Sequence, residues 1–323
     1  MVEDNQIKAE VSPFAIREGE IKTFDGKDGY VSMNQIVHKI NIGHITDIHF
    51  DILDLVNQFE FITSRQLFQM LEIKGKNPAS QDKLNNKLES LVKSKILTRY
   101  YFTSDEGKGI YRIYALEKMG KYLLNSKEVE CKWQPSDNTK PVAMIKKRLA
   151  GNQILIAYLR KVKAFDEFTV KPVITAKTAG KTFKANGGVK LTKNKKSIQF
   201  IFEVIRREED WQKKLVEKMR LYKDFYENFV MGDSGFSALP QLILVCEDEK
   251  HMAQSFREIV TNQVEIPQIK LYFTTDLRQN EETMENTLVE FKLVDGKYKM
   301  ENVELKLLGM WFFGNVLKKN HHK

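Results

Sequence analysis

Apolar residues recur at helical spacing in three consecutive segments that follow residue 45. The apolar residues are Ile48, Ile52, Leu55, Val56 and Phe59 in the first segment, Leu67, Met70 and Leu71 in the second, and Leu84, Leu88, Leu91 and Val92 in the third. Thr46 and Ser80, at the starts of the first and third segments, are residue types that cap helix N-termini. In the second segment Thr63 precedes Gln66 by three residues, the spacing of a capping box. The pattern predicts three short amphipathic helices.

Two β-rich runs follow the third predicted helix. Ile96–Phe102 and Ile110–Leu116 are dominated by β-branched and aromatic residues, and a polar run with two glycines separates them. A short helix is predicted directly after the second run. Helix, helix, helix, hairpin and helix is the order of a winged helix-turn-helix, so residues 46–126 are predicted to form a winged-helix domain. Residues 1–45 show no sustained period and are assigned as an N-terminal extension.

The second half of the chain alternates between helical and strand patterns. A polar, proline-containing segment, residues 127–141, separates it from the first half and is predicted to be a linker. Helices are predicted over 142–162, 211–229 and 250–262, and strands over 168–175, 197–205, 239–246 and 269–274. This order predicts a mixed α/β sheet with helices on its faces, forming a second domain over residues 142–323. The fold class of the whole chain is therefore predicted to be α+β.

The positive charge of the chain is concentrated in one segment. The net charge is +9 over 323 residues, and the stretch from Lys140 to Val230 holds 22 basic and nine acidic residues, a net charge of +13. Such a field attracts polyanions, of which nucleic acid is the commonest, and indicates double-stranded DNA as the partner. The alternative is a lysine-rich composition that only keeps the protein soluble.

The third predicted helix and the hairpin supply the residue types that contact DNA. An α-helix or a β-ribbon fits the major groove, asparagine and glutamine amides pair with base edges, and lysines contact phosphates. The predicted DNA-binding residues are Ser80, Gln81, Lys83, Asn85, Asn86 and Lys87 on the helix, Tyr101, Lys108 and Arg112 on the hairpin, and Lys146, Lys147, Arg148, Lys193, Lys195 and Lys196 in the second half. Two alternatives stay open: a solvated helix face, and a winged helix that docks a protein.

A strand that ends in FIFEV precedes the helix WQKKLVEKMRLYKDFY. Through these two segments and the order of its elements, the chain resembles the replication-relaxation proteins of plasmids and integrative elements. The resemblance covers roughly residues 46–275. It implies a winged helix followed by a domain similar to restriction endonucleases, a likeness to one class of mobilisation relaxases, and a role in replication, in transfer or in their regulation. A replication or transfer protein is the second partner that it implies.

The resemblance also implies positions for a nuclease site. Enzymes of that fold hold a divalent metal between an acidic residue at one strand end and an Asp/Glu-x-Lys motif on the next strand. Here Asn186 stands at the first position and Glu203 at the second, with Ile205 where lysine is expected. Lys218, on the following helix, is a further vestigial candidate. The domain is therefore predicted to be inactive, and Mg²⁺ or Mn²⁺ enters only under the alternative of a DNA-nicking relaxase or nuclease.

Other classes of function find no support in the sequence. There is no phosphate-binding loop, no metal-ligand spacing and no predicted cofactor, and the two cysteines are expected to be reduced thiols. No run of apolar residues is long enough for a membrane span, and the polar N-terminus predicts no secretory signal, so a cytoplasmic location is expected. The remaining alternative is a winged-helix transcription regulator. The aromatic segment 303–316 is expected to pack on the second domain.

Overall fold

The structure is a computed structural model that describes residues 12–27, 29–76, 78–104, 111–162, 165–280 and 287–303, with the backbone alone at 107–108 and 280. It is an α+β fold, as predicted. The aromatic segment 303–316 lies, after its first residue, outside the described residues, and so do the side chain of Lys108 and the histidines at 321 and 322.

The first half of the chain contains five helices and a small antiparallel sheet in the described residues. The elements are β1 (Ile21–Phe24), α1 (Met33–Asn41), α2 (Asp47–Phe59), β2 (Ile62–Thr63), α3 (Ser64–Ile73), α4 (Gln81–Lys93), β3 (Leu97–Ser104), β4 (Gly107–Lys108), β5 (Ile113–Leu116) and α5 (Lys118–Ser126). From α2 onward this is the order of elements predicted from the sequence. The capping box at Thr63 and Gln66 is present, and Ser80 caps α4 by accepting from the backbone N–H of Lys83.

Among the described residues before 46, β1 joins this sheet and Phe14, Ile36 and Ile45 join its core, which the aperiodic sequence did not predict. Strand β1 pairs antiparallel with β3 and completes the order β1-β3-β5-β2, with β4 paired to β3. Helix α1 begins at a capping box between Ser32 and Gln35, and Ile36 is its single buried residue. Met33 and Ile40 are partly buried and pack against the same core, so α1 carries a short apolar stripe that the sequence analysis did not identify.

The second half is built on a seven-stranded mixed sheet. Its elements are a 3₁₀ turn (Pro135–Thr139), α6 (Val142–Lys161), β6 (Phe165–Thr169), β7 (Val173–Ala176), β8 (Lys181–Lys184), β9 (Gly187–Lys193), β10 (Lys196–Val204), α7 (Trp211–Glu227), β11 (Gln241–Cys246), α8 (Glu249–Thr261), β12 (Leu271–Thr275), β13 (Leu288–Val294) and β14 (Lys297–Val303). The order is β14-β13-β12-β11-β10-β9-β6, and only the pairs β10–β11 and β11–β12 are parallel. Strands β7 and β8 form a separate hairpin.

The Gly- and Lys-rich stretch before residue 197, where a hairpin was expected, forms β8, which pairs with β7, and β9, which pairs with β10. A further hairpin, β13–β14, was not predicted and extends the sheet. Asn194 and Lys195, at the turn between β9 and β10, both have positive φ, 51° and 66°. Positive φ at both central residues is the geometry of a two-residue type I′ turn, whose twist matches that of the flanking strands.

Helix α6 joins the two halves into one core. Twelve of its residues are buried, and a single cluster of buried side chains contains Ile36, Leu67, Leu149 and Phe202. Helix α6 packs against α3 and β2 on one side and against β6, β9 and β10 on the other. A second cluster fills the space between the sheet and helices α7 and α8. The predicted division into an extension, a winged helix, a linker and a second domain stays a prediction, and the apolar core is continuous across it.

Candidate nucleic-acid interface

Helix α4 presents a polar face because its apolar residues are all buried on the other side. Leu84, Leu88, Leu91 and Val92 are at most 1% exposed. Lys83, Asn85 and Asn86 are exposed on the opposite side, and Lys87 is partly exposed. The buried stripe fixes the rotation of the helix about its axis, so these polar side chains point to solvent as a set.

The first turn of α4 holds two of the predicted residues in defined positions. Ser80 uses its hydroxyl as the N-cap acceptor. Gln81 donates from Nε2 to Oδ1 of Asn85 at 3.1 Å and to the main-chain oxygen of Ser64 at 3.4 Å. Gln81 therefore orients Asn85 from the helix start and links α4 to α3.

The hairpin beside α4 carries a charged network centred on Asp25, a residue that sequence reasoning did not identify. Asp25 Oδ2 accepts from Nε of Arg112 and lies 3.1 Å from Nε of Arg99. Arg99 also bonds Glu89 of α4, with 2.6 Å between Nη1 and Oε2. Burial alone would raise the pKa of Glu89, but the bond to Arg99 holds it below its ordinary value. Arg112 lies over the ring of Tyr101 at 5.2 Å, so the predicted hairpin residues are adjacent.

The predicted basic cluster at the start of α6 does not form a surface. Lys146 is 1% exposed and binds Glu20 and the main-chain oxygen of Ala15. Arg148 is 8% exposed and donates from Nη1 to the main-chain oxygen of Val170 at 2.8 Å. The prediction that Lys146 and Arg148 contact phosphates is therefore corrected, because both side chains are buried. Neighbouring positions on a helix differ by about 100° in direction, so Lys146, Lys147 and Arg148 cannot share one face of α6.

Lys147, between them, faces outward and takes part in a mixed-charge surface. Its Nζ binds Oε1 of Glu208, whose other oxygen lies 3.0 Å from Nζ of Lys214 on α7. Burial would raise the pKa of Glu208, but Lys147 and then Lys214 hold it below its ordinary value. One carboxylate is thus shared by two lysines.

Glu60, at the end of α2, is a second shared carboxylate. It binds Lys171 and lies 2.9 Å from Nζ of Lys140 and 3.6 Å from Nε of Arg148. Burial works against ionisation of Glu60, yet the three cations, Lys171 foremost, keep its pKa below the ordinary value. Lys140 also lies 2.8 Å from Oδ1 of Asp137, so two carboxylates face two partly exposed lysines here and the surface charges at the junction of the halves are close to balance. We call Lys140, Lys147, Lys171 and Lys214 the junction lysines.

The remaining predicted basic residues lie at the turn between β9 and β10. Lys195 and Lys196 are exposed and Lys193 is partly exposed. The two-residue turn places them at the end of a regular hairpin, which is a rigid support for surface charges.

Of the three vestigial nuclease residues, Glu203 and Lys218 are brought together, and the side chain of Asn186 bonds the backbone of the strand that carries Glu203, β10. Asn186 Oδ1 accepts from the backbone N–H of Val204 at 2.9 Å. Glu203 accepts from the hydroxyl of Tyr222 at 2.8 Å, and Nζ of Lys218 lies 3.6 Å from the same carboxylate oxygen. Burial and then the neighbouring Glu203 raise the pKa of the Tyr222 hydroxyl, so it stays protonated and donates.

This group does not fit a divalent metal. It contains a single carboxylate, whereas Mg²⁺ sites rely on carboxylate charge, and the Asn186 oxygen is already used by the backbone. Within the described ranges, no group of three or more His, Cys, Asp and Glu residues could hold a metal ion. The two cysteines in those ranges, Cys131 and Cys246, are free and buried.

The fold defines the class of this protein, and comparison with known families identifies its family. The chain is an α+β protein with one core shared by its two halves. The family model for replication-relaxation matches residues 53–235, more than half of the chain, and the protein belongs to the replication-relaxation family. The match extends from α2 through α7 and so includes α4, the β3–β5 hairpin and α6.

Family membership indicates a DNA-related role in the replication or transfer of plasmids or other mobile elements. No curated protein matches the chain significantly. Among the helices in the described part of the chain, none has the length and apolar character required to cross a membrane.

Proposed function

We propose that the protein binds double-stranded DNA of a plasmid or integrative element at a specific site, through a winged helix formed by α2 to α5, and acts in the initiation of replication or transfer or in its regulation. The observation that carries the proposal is the face of α4. Lys83, Asn85 and Asn86 point outward from a helix whose other face is fully buried.

The dimensions and chemistry of α4 suit the major groove. Its 13 residues span about 20 Å and present no bulky apolar side chain on the outer face. Asparagine amides can pair with the N6 and N7 edge of adenine, and lysines can contact the phosphates on either side. In this proposal Asn85 and Asn86 read bases, whereas Lys83 and Lys87 set the position of the helix on the duplex.

The hairpin β3–β5 acts as the wing. Arg112, which is 45% exposed and lies over the ring of Tyr101, is held next to α4 through Asp25, Arg99 and Glu89. An arginine fixed in this way can contact a phosphate adjacent to the groove that α4 enters. Lys108 belongs to β4, directly across from Thr103, and is proposed as a second contact of the wing.

The second half contributes sequence-independent affinity or holds a replication or transfer protein. The turn residues Lys195 and Lys196 supply exposed positive charge, whereas the junction lysines are close to balance with their acidic neighbours. A likeness of the seven-stranded sheet to restriction endonucleases belongs to this proposal as a fold retained for binding. The group around Glu203 supports no cleavage step, since it lacks the carboxylates for a metal.

The proposal is tested by fluorescence anisotropy of the full-length protein on a random-sequence duplex, titrated from low to high salt. We expect a log–log slope of about −4 or steeper, because several phosphate contacts each release counterions. The double variant Lys83→Ala/Lys87→Ala should make the slope shallower by about 2, at roughly 0.9 per phosphate contact. Absence of binding even at low salt would overturn the DNA proposal for both halves.

A matched control distinguishes the effect of losing any surface lysine from the effect of losing the lysines of α4. Lys132 is 85% exposed and pairs only with Glu130 nearby in sequence, so Lys132→Ala removes one lysine without touching the proposed interface. Its slope should equal that of the unmodified protein. Asn85→Ala/Asn86→Ala should leave the slope unchanged and reduce preference for the cognate site once that site is selected from a random library.

A further inference from the structure

The carboxyl ends of the parallel strands β10, β11 and β12 meet at one edge of the sheet, where charged residues follow each strand. Arg206 comes after β10, Glu247 after β11 and Asp276 after β12, and all three are at most 5% exposed. In open sheets with parallel strands, the crevice outside this edge is where ligands bind. Arg206 Nη2 lies 2.8 Å from Asp276 Oδ1, so the edge is lined by a connected set of charges.

Residues 12–20, which we call the N-terminal strap, fill this crevice. Ser12 donates its hydroxyl to Asp276 Oδ2. The backbone N–H of Ile16 donates to Glu247 Oε1 at 3.3 Å. Contacts to both strand ends therefore come from five consecutive residues of the strap.

Lys146 of α6 fastens the other end of the strap. Its buried ammonium binds the main-chain oxygen of Ala15 and the carboxylate of Glu20. Burial lowers the pKa of Lys146, and the ion pair with Glu20 opposes that shift.

The contacts that hold the strap are of the kind that proteins make with bound peptides. It contains no helix and no strand, and residues 12–16 are held mainly through main-chain groups, with the Ser12 hydroxyl and the buried Phe14 ring as side-chain contacts. Phe14 is 6% exposed and packs edge-on against Tyr111 at 5.8 Å, and the Tyr111 hydroxyl donates to the main-chain oxygen of Pro13 at 2.9 Å. Glu18 and Gly19, by contrast, are exposed, so an accessible turn connects this bound stretch to β1.

The charges that line the crevice, and a hydrogen-bond donor in it, indicate which class of ligand it binds. Without the strap, its charged lining consists of Lys146, Arg206 and Arg207 against Glu247, Asp248 and Asp276, which balance and give no preference for a polyanion. Arg206 Nε has no hydrogen-bond partner among the described residues even with the strap in place. The strap thus leaves one buried donor that another peptide could use.

We propose that this edge is a peptide-docking cleft, that the N-terminal strap is its resident occupant, and that a segment of a partner protein with the same chemistry takes the place of the strap. That chemistry is a hydroxyl residue, an aromatic residue two positions later, and a carboxylate eight positions after the hydroxyl. The inference goes beyond DNA binding and does not rest on it.

The test uses the full chain with a protease site inserted between Glu18 and Gly19, in the exposed turn. After cleavage and removal of the released fragment that ends at Glu18, a fluorescein-labelled peptide of residues 12–18 is added and its anisotropy is followed, while Glu20 stays on the protein and keeps its ion pair with Lys146. We expect saturable binding to the cut protein and binding about 100-fold weaker to the uncut protein, because a tethered occupant competes at millimolar effective concentration. No binding to cut protein that keeps its circular dichroism spectrum would overturn the proposal.

Peptide variants serve as controls that leave the fold of the protein untouched. A peptide with Phe14→Ala, one with Ser12→Ala and one of scrambled order should each bind at least about tenfold more weakly, a loss of about 1.4 kcal/mol. Equal binding of the scrambled peptide would show nonspecific association and would also overturn the cleft. If cleavage unfolds the chain, the uncut variant Phe14→Ala replaces it, and faster uptake of labelled peptide than by the parent is the expected result. Unchanged uptake by that folded variant contradicts the proposal.

Discussion

The side-chain amide of Gln66 in α3 donates from Nε2 to the main-chain oxygen of Leu149 in α6, 2.8 Å away. The same residue closes the capping box of α3, where its Oε1 accepts from the backbone N–H of Thr63 at 3.2 Å. Asn152, one turn along α6, donates in turn to the main-chain oxygen of Phe61 at 2.7 Å. Two amides therefore bind main-chain groups across the contact between the halves, so this contact is specified by hydrogen bonds as well as by apolar packing.

Replacing Gln66 with alanine should cost about 2 kcal/mol of unfolding free energy, because it removes the capping-box bond and leaves buried main-chain groups without a partner. Urea unfolding followed by circular dichroism measures the loss. Gln35→Ala is the matched control, since Gln35 completes the exposed capping box of α1 and has no bond across the halves. Equal losses in the two variants would show that the bond to Leu149 contributes nothing.

Asp25→Asn should increase the affinity for nonspecific duplex about fivefold at low salt, because it frees one positive charge near the wing for a phosphate. Asp25 now pairs with both Arg99 and Arg112. Anisotropy titrations of the variant and the parent give the ratio directly.

The gain should disappear when Arg112→Ala is added to Asp25→Asn. Asp54→Asn removes a surface carboxylate that pairs with Lys74 on the outside of α2 and α3, and it should leave the affinity unchanged. An equal gain from Asp54→Asn would mean that net charge, not the wing, sets the affinity.

His251 makes the stability of the fold depend on pH. Burial, with help from Arg207 and Arg206, lowers its pKa to about 3, whereas in the unfolded chain it titrates near 6.5. Between these two values the unfolded chain binds more protons than the folded one, so stability falls as the pH falls through that window, by at most about 1.4 kcal/mol per pH unit.

His251→Gln should therefore lose less stability than the parent between pH 6.5 and pH 4. Urea midpoints measured across this range give the two slopes. His44→Gln, a change at an exposed position, is the control and should follow the parent. Parallel curves for His251→Gln and the parent would contradict the assignment.

Gly151→Ala should destabilise the fold by about 1–3 kcal/mol, as overpacking does in other cores. A Cβ at this position would lie 2.6 Å from the main-chain oxygen of Asn186, which cannot move without shifting the start of β9. Thermal unfolding measures the effect, and Arg160→Ala, at an exposed position of the same helix, should change the midpoint little. A neutral Gly151→Ala would show that α6 and β9 can separate freely.

The sequence predicted the elements with strong periodic signals. Helices α2, α3 and α4 have complete apolar stripes and caps, and their observed starts lie within one residue of the capping residues identified. Strand β1 was missed because its position depends on β3, a pairing between distant parts of the chain. Helix α1 was missed although its capping box and the spacing of Met33, Ile36 and Ile40 are visible in the sequence, because the stripe spans only two turns.

The sequence likewise predicted some residues of the candidate site and missed others. The outward residues of α4 follow from its buried face, which periodicity reveals. The burial of Lys146 and Arg148 could not be inferred, because α6 contacts elements on two sides and charged residues there pair with Glu20 and Glu60 across long sequence separations. Asp25 was missed for the same reason, since its partners Arg99 and Arg112 lie more than 70 residues away.

The burial of α6 on two sides has a consequence for how this chain can change by recombination. Mobile elements exchange segments, and a crossover between α3 and β9 would pair one parent's α6 with the other parent's neighbours. The hybrid would have to satisfy the Gln66–Leu149 bond, the Asn152–Phe61 bond and the close approach of Gly151 to Asn186 at once. Viable exchanges should therefore replace residues 61–187 as a block, so a change of DNA specificity acquired in this way should bring its own α6 with it.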